Sequence, residues 1–261
     1  MNKMIRDHII SLLEKDMRED RRKLLDYRKP ITVEYGVSSK SAEGSVRVRI
    51  GETEVVAGVK LDVGEPFPDT PDDGILIIGA ELLPLSNPEF ESGPPSIDSI
   101  ELARIIDRGI RESNMIDLKK LCIKEGERVW AIFLDIYPIN DNGNLFDAAA
   151  LAALAALRDT KFPEYDAKKG KVNYENRTNK GLPLKKLPIM VTVSKIKNKF
   201  IVDPDINEWK SIDARLSVTT TEDGLICAMQ KGCEMQLSLD DIEKMIDIAT
   251  EKGKFLRGFL K

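Results

Sequence analysis

Arg104, Arg108 and Arg111 stand at i, i+4 and i+7 in the segment IELARIIDRGIRES. On a helix, such positions share one face, and Leu102, Ile106 and Ile110 fall on roughly the opposite one. A guanidinium keeps its charge at any physiological pH and offers a planar fork of donors that matches a phosphate. These arginines could therefore hold a phosphodiester chain, each neutralised phosphate releasing counterions. The same spacing suits a solvated face in which Arg104 or Arg108 pairs with Glu101, Asp107 or Glu112. Spacing alone does not separate the two readings.

Two further constellations could carry chemistry. In VDPDINEWKSID, the carboxylates of Asp203, Asp205, Glu208 and Asp213 could bind Mg²⁺ or supply a general acid, or simply form a turn that Pro204 fixes. Asp141–Asn144 make a glycine-containing turn that opens an alanine-rich segment, and the first N–H groups of a helix form a ready anion site. Leu145 and Phe146 follow, however, and no Ser, Thr, Lys or Arg completes a phosphate cradle. Asp147 would itself occupy the positive pole, so this turn reads as capping.

Regular elements must position these groups. Residues 4–17 carry Ile5, Ile9, Leu12 and Leu13 at helical spacing, which predicts an amphipathic helix. Residues 18–30 mix basic and acidic groups and end in Arg28, Lys29 and Pro30, as an exposed arm or linker would. Strand periodicity follows at 31–35, 45–50, 53–63 and 75–83, with Gly51 and Glu52 suited to a hairpin turn. Beyond the arginine helix come a strand over Arg128–Pro138 and a helix over 146–160, whose small residues on every side predict burial against a sheet. Residues 161–185 are polar and lysine-rich and read as a loop or linker. Strands at 188–195, 198–203, 212–219 and 224–231 precede a helix from Leu239 to about Leu260, with Ser238 as its N-cap. The outline is an α/β or α+β fold with mixed sheets.

Composition narrows the function. The 261 residues suffice for one large domain or two modest ones. A formal net charge of −4 excludes a polyanion binder acting over its whole surface, so nucleic-acid contact would need a local basic patch. Cys122, Cys227 and Cys233 lack metal-ligand spacing and suit reduced thiols in a cytoplasmic protein. His8 is the only histidine, which excludes a histidine-rich zinc site, and neither a metal nor a cofactor is expected. No apolar run is long enough for a membrane helix, and the charged start is unlike a secretory signal.

Longer segments resemble a known family. MREDRRKLLDYR is similar to the R-x-D-G-R-x-x-x-x-x-R motif of RNase PH-like phosphorolytic nucleases, with Arg22 at the second basic position and Arg21 where the family has glycine. GEPFPDTPDDG, ELLPLSNPEFESGPP and IELARIIDRGIRES are similar to segments of the non-catalytic RNase PH-like ring subunits of the archaeal exosome. The resemblance covers nearly the whole chain. It implies an α+β fold of the ribosomal-protein-S5-domain-2-like type, with two β-α halves and mixed sheets flanked by helices. The expected division is 1–30 as N-terminal helix and arm, 31–185 as first half and 186–261 as second half.

The resemblance also implies partners: a catalytic RNase PH-like subunit in a trimer of heterodimers, RNA-binding cap proteins, and single-stranded RNA degraded from its 3′ end by phosphate. Catalytic relatives carry Gly-Ser-Arg or Gly-Thr-Arg where this chain has Gly143, Asn144 and Leu145. Of their two spaced aspartates, Asp213 matches the second, while the first falls on about Asn207, with Glu208 the neighbouring choice. The implied subunit therefore has no catalytic residues. Arg104 and Arg108 match positions that contact the RNA backbone beside the partner's active site, and Arg111 lies on the same face. Two alternatives remain. One is an intrinsically active phosphorolytic 3′–5′ exoribonuclease using Asp213 and Glu208. The other is an assembly subunit whose arginines only bridge the ring interface.

Overall fold

From Thr53 to Leu61 every second side chain is buried, the period expected of a strand with one face on a core. The computed structural model describes residues 3–167 and 169–260. Helix α1 (Lys3–Glu14) is followed by strands β1 (Ile31–Tyr35), β2 (Gly44–Ile50), β3 (Thr53–Gly64) and β4 (Ile75–Ala80), then helix α2 (Ile97–Glu112). A turn of 3-10 helix leads to β5 (Cys122–Lys124), β6 (Arg128–Asn140) and helix α3 (Leu145–Asp159). The strands β7 (Lys161–Asp166) and β8 (Lys171–Gly181) come next. The chain ends with β9 (Ile189–Ile196), β10 (Lys199–Val202), the short α4 (Ile206–Trp209), β11 (Ala214–Thr220), β12 (Ile226–Gly232) and α5 (Leu239–Arg257).

The strands form two principal sheets. The first runs β1-β2-β3-β6-β4 with β5 paired to β6, and it is mixed, because β4 lies parallel to β6 while the other pairs are antiparallel. The second runs β10-β9-β11-β12 and is antiparallel throughout. Helix α3 packs on β2, β3 and β6 of the first sheet and on β9 of the second. It is buried on every side from Leu145 to Leu157, which explains its alanines: larger groups would hold the sheets apart. Helix α2 touches β4 of one sheet and β12 of the other, and α5 covers β9 and β11. Leu102, Ile106 and Ile110 are all buried, as the spacing required.

Two sequence readings need correction. Residues 161–185 are not a loop: β7 and β8 pair as an antiparallel hairpin. Most β8 side chains are exposed, so no hydrophobic alternation announced it, and backbone pairing alone makes the strand. Nor is the segment 18–30 an exposed arm. Arg18, Tyr27 and Arg28 are buried, because their polar ends find partners inside the molecule.

The closeness of α3 to β2 rests on Gly44, where an added methyl group would run into Thr160 Oγ1 and the Ala156 carbonyl. Gly44→Ala should lower stability by about 1–3 kcal/mol. Gly64→Ala, which meets nothing within 4 Å, should leave the melting temperature nearly unchanged in the same thermal denaturation series.

Candidate nucleic-acid interface

Helix α2 begins at a sound cap. The Ser96 side chain accepts from the Ser99 backbone N–H at 3.2 Å, and Asp98 lies in the first turn. Gly109 sits against Thr219 of β11, where an added Cβ would lie 3.0 Å from Oγ1. The helix is thus pressed onto the second sheet with its arginines turned outward.

The three arginines do not share one environment. Arg104 is exposed and makes no hydrogen bond or ion pair with any described residue. Arg108 is half-buried, and its Nη1 donates to Gln230 Oε1 of β12 at 3.1 Å. Arg111 is engaged: Nη2 and Nε donate to the two Asp107 oxygens at 2.7 and 3.2 Å, and Nη2 also reaches the Leu76 carbonyl at 3.2 Å. Glu101, another of the nearby acids, is drawn to Arg215 at 2.7 Å, and Glu112 pairs with neither Arg104 nor Arg108. Of the pairings open to a solvated face, Arg104 and Arg108 therefore make none among the described residues. Two positive charges remain to meet an anion, while the third is offset by its neighbour.

The acids of 203–213 are each committed elsewhere. Asp205 caps α4, its Oδ1 accepting from Asn207 N at 2.8 Å and Glu208 N at 2.9 Å. Glu208 is buried, takes Arg18 Nε at 2.8 Å and Arg18 Nη2, and accepts from Asp205 N at 2.9 Å. Asp213 pairs with Arg6 of α1 at 2.5 Å and accepts from Lys197 N at 2.6 Å. Among the described residues, no group of three or more acids, cysteines or histidines is arranged to hold a metal. Asn207 Nδ2 turns toward Glu19 at 3.4 Å.

The N-terminus of α3 is closed to phosphate. Leu145 and Phe146 are buried, and Phe146 stacks on Trp209 with centroids 5.6 Å apart. The Arg215 guanidinium lies 4.4 Å from the Phe146 ring centroid. With Leu82, Phe90 and the acids Asp98, Glu101 and Asp141, these groups line a cavity of about 230 Å³. Its walls are apolar or acidic, and its one arginine is already paired with Glu101. The capping reading of Asp147 is also corrected. Asn144 stands at the cap with φ 53° and makes no side-chain cap bond. Asp147 instead accepts from Tyr27 Oη at 2.7 Å, Asn144 Nδ2 at 3.1 Å and Thr192 N at 2.7 Å.

Asp203, read from the sequence as a possible metal ligand, general acid or turn residue, is the centre of a buried ion cluster. Asp203 is fully buried, and its carboxylate accepts from Arg28 N (2.6 Å), Nε (3.0 Å) and Nη2 (2.8 Å), Arg22 Nη1 (3.1 Å) and Asn144 Nδ2 (3.0 Å). Arg28 also holds the carbonyls of Asn142 and Gly143. The cluster's arginines belong to MREDRRKLLDYR, where alternating charge predicts exposure and the partners lie far away in sequence. Arg21 adopts φ 63°, the left-handed region that glycine occupies most easily, which accounts for glycine at this place in the family motif.

A two-sheet α+β architecture with a bridging buried helix, and an N-terminal motif anchored in the second half, define an RNase PH-like protein. Residues 28–163 match the 3′ exoribonuclease family, domain 1, and residues 186–252 match domain 2 of the same family. The chain belongs to the RNase PH family of 3′ exoribonucleases. It is 48% identical over 247 residues to exosome complex component Rrp42 of Methanothermobacter thermautotrophicus, spanning 95% of this chain and 90% of that one. It is 47% identical to the Rrp42 component of Methanocella arvoryzae, spanning 97% and 94%. A solved structure described as the Archaeoglobus fulgidus exosome with RNA bound to the active site superposes with a TM-score of 0.91 at 44% identity, covering 99% of this chain and 98% of that one. No helix among the described residues is long and apolar enough to cross a membrane.

Two outcomes follow from the buried charges. Asp203→Asn leaves Arg28 without its anion, and removing one partner of a buried pair costs about 3–5 kcal/mol. Chemical denaturation should show that loss. Burial pushes the Asp147 carboxyl from its ordinary 3.8 up to about 7, with the charge of Asp203 adding to the effect, while the bonds from Tyr27, Asn144 and Thr192 oppose it. Between those two values the folded state holds a proton that the unfolded state has released, so this group's contribution falls as pH rises and is fully lost above about 7. The stability of Asp147→Asn relative to the parent should therefore improve with pH across that window and then level off. A constant difference in denaturation midpoints would refute the shift.

Proposed function

We propose that this chain is a non-catalytic subunit of an archaeal exosome ring in the cytoplasm. It assembles with a catalytic RNase PH-like subunit as a trimer of heterodimers that carries RNA-binding cap proteins. Its role is to grip single-stranded RNA through Arg104 and Arg108 while the partner degrades the strand with phosphate from the 3′ end. The observation that carries the grip is the contrast along α2. Arg104 and Arg108 keep their charges unmatched by any described carboxylate, whereas Arg111 is offset by Asp107. Arg111 therefore plays the lesser part. Backbone contacts of this kind hold a strand in register without reading bases, which suits a degrader indifferent to sequence.

Absence of catalysis in this subunit is supported by the fate of its acids and of its helix terminus. Glu208 is bonded through both oxygens to a buried arginine, and Asp213 is bonded to Arg6 and a backbone N–H. Asn144 and Leu145 stand where catalytic relatives carry Ser or Thr and Arg, and leucine cannot hold a phosphate. The relatives named as exosome components, and the solved exosome with RNA, support the assembly.

Three measurements test this reading. The purified chain should release no nucleoside diphosphate from RNA, and the complex with its partner should do so only when phosphate is present. Arg104→Glu with Arg108→Glu should weaken RNA binding by the complex at least about tenfold, since each charged hydrogen bond is worth roughly 1.5–3 kcal/mol. The native mass should stay unchanged. Unaltered RNA affinity would refute the grip, and dissociation into smaller species would favour a purely structural role. Diphosphate release by the chain alone would overturn the non-catalytic assignment.

A further inference from the structure

Arg108 and Arg111 are both held by a neighbour, but by neighbours of different charge. Asp107 binds Arg111 through both carboxylate oxygens and offsets its positive charge. Gln230 binds Arg108 through one amide oxygen at 3.1 Å and carries no charge. The direction of the Gln230 amide is set by its other end, because Nε2 donates to the Lys231 carbonyl at 3.4 Å. Oε1 is thereby left to face α2. Among the described residues only Nη1 of Arg108 is engaged, so the remaining donors of the guanidinium fork stay available.

We propose that Gln230 is a positioning residue for the RNA grip: it orients the Arg108 guanidinium toward the strand while leaving its full charge to the phosphate. This rests on the reading of Arg108 as an RNA contact. The physical requirement is twofold. A free arginine loses side-chain entropy when it is ordered on binding, and a neighbour that orders it beforehand removes part of that cost. A carboxylate in the same place would also order it but would compete with phosphate for the guanidinium. An amide alone meets both requirements. Gln230 lies on β12, an edge strand packed against α2, so the second sheet and the arginine helix act together at this point.

The test uses the assembled complex, a labelled single-stranded oligoadenylate and phosphate-free buffer, with affinity measured across a salt series. Gln230→Ala removes the orientation but not the charge. Affinity should fall about threefold to tenfold, the cost of ordering one long side chain on binding, with an unchanged salt slope. Gln230→Glu keeps a partner but matches the charge. Affinity should fall further, and the salt slope should drop by about 0.7, the value for one phosphate contact to a single strand. In an Arg108→Ala background both substitutions should lose their effect, while the melting temperature and native mass stay constant throughout. The proposal is overturned if Gln230→Glu binds as the parent does, or if the losses persist without Arg108. If Arg108→Ala by itself changes nothing, the grip reading fails as well, so the two failures are told apart.

Discussion

The buried carboxylate of Asp203 is the constraint on which the rest of the structure depends. Removing a charge from water is costly, and the interior repays it only when every lone pair meets a donor. Here the donors come from two separated parts of the chain, Arg22 and Arg28 from the N-terminal segment and Asn144 from the start of α3, and they converge on a third, the end of β10. The cluster therefore joins the two sheets and the arm at one point. Arg28 extends it by binding the carbonyls of Asn142 and Gly143. Gly143 lies so close to the opposite chain that an added Cβ would stand 2.5 Å from the Pro204 carbonyl, and its φ of 87° already favours glycine.

That anchor has consequences for α2. With α3 pinned at its first turn, the sheets on either side of it are set, and α2 must span from β4 to β12. Its buried stripe and the contact of Gly109 with Thr219 then fix its rotation about its own axis. Rotation decides which arginine meets which neighbour. Arg111 is carried to the Leu76 carbonyl, Arg108 to the edge strand and Arg104 to open solvent, while the pairing of Arg111 with Asp107 is made within the helix. The free charge on this face is therefore set jointly by the spacing of Asp107 and Arg111 and by packing on the reverse of the helix.

Much of this was legible in the sequence wherever periodicity reported burial. The stripe of Leu102, Ile106 and Ile110, the alanine-rich α3 and the hairpin turn at Gly51 all announced themselves. The arm did not, because burial of Arg18 and Arg28 depends on partners 190 and 175 residues away. Nothing local tells a paired arginine from a solvated one. The hairpin of β7 and β8 was hidden for the opposite reason: it buries so little that no alternation exists to be read. The arginine face was visible as a face, but spacing could not assign partners to its three members. Gln230, distant in sequence and uncharged, left no sequence signal at all.

The same geometry bears on the proposed non-catalytic role, because the fold does not depend on the side chains that line the cavity. The stabilising cluster and the N-terminus of α3 are adjacent, yet they rely on different atoms. Asn144 faces Asp203 and Asp147, while Leu145 and Phe146 face the cavity with Trp209 and Arg215. An apolar residue at position 145 adds buried surface on the cavity side and leaves the ion cluster behind it untouched. The α2 arginines do not depend on that residue, since their orientation follows from the packing of the helix. On the proposed function, the grip needs only α2 and the packing behind it, while the Asp203 cluster holds the fold whatever side chains line the cavity.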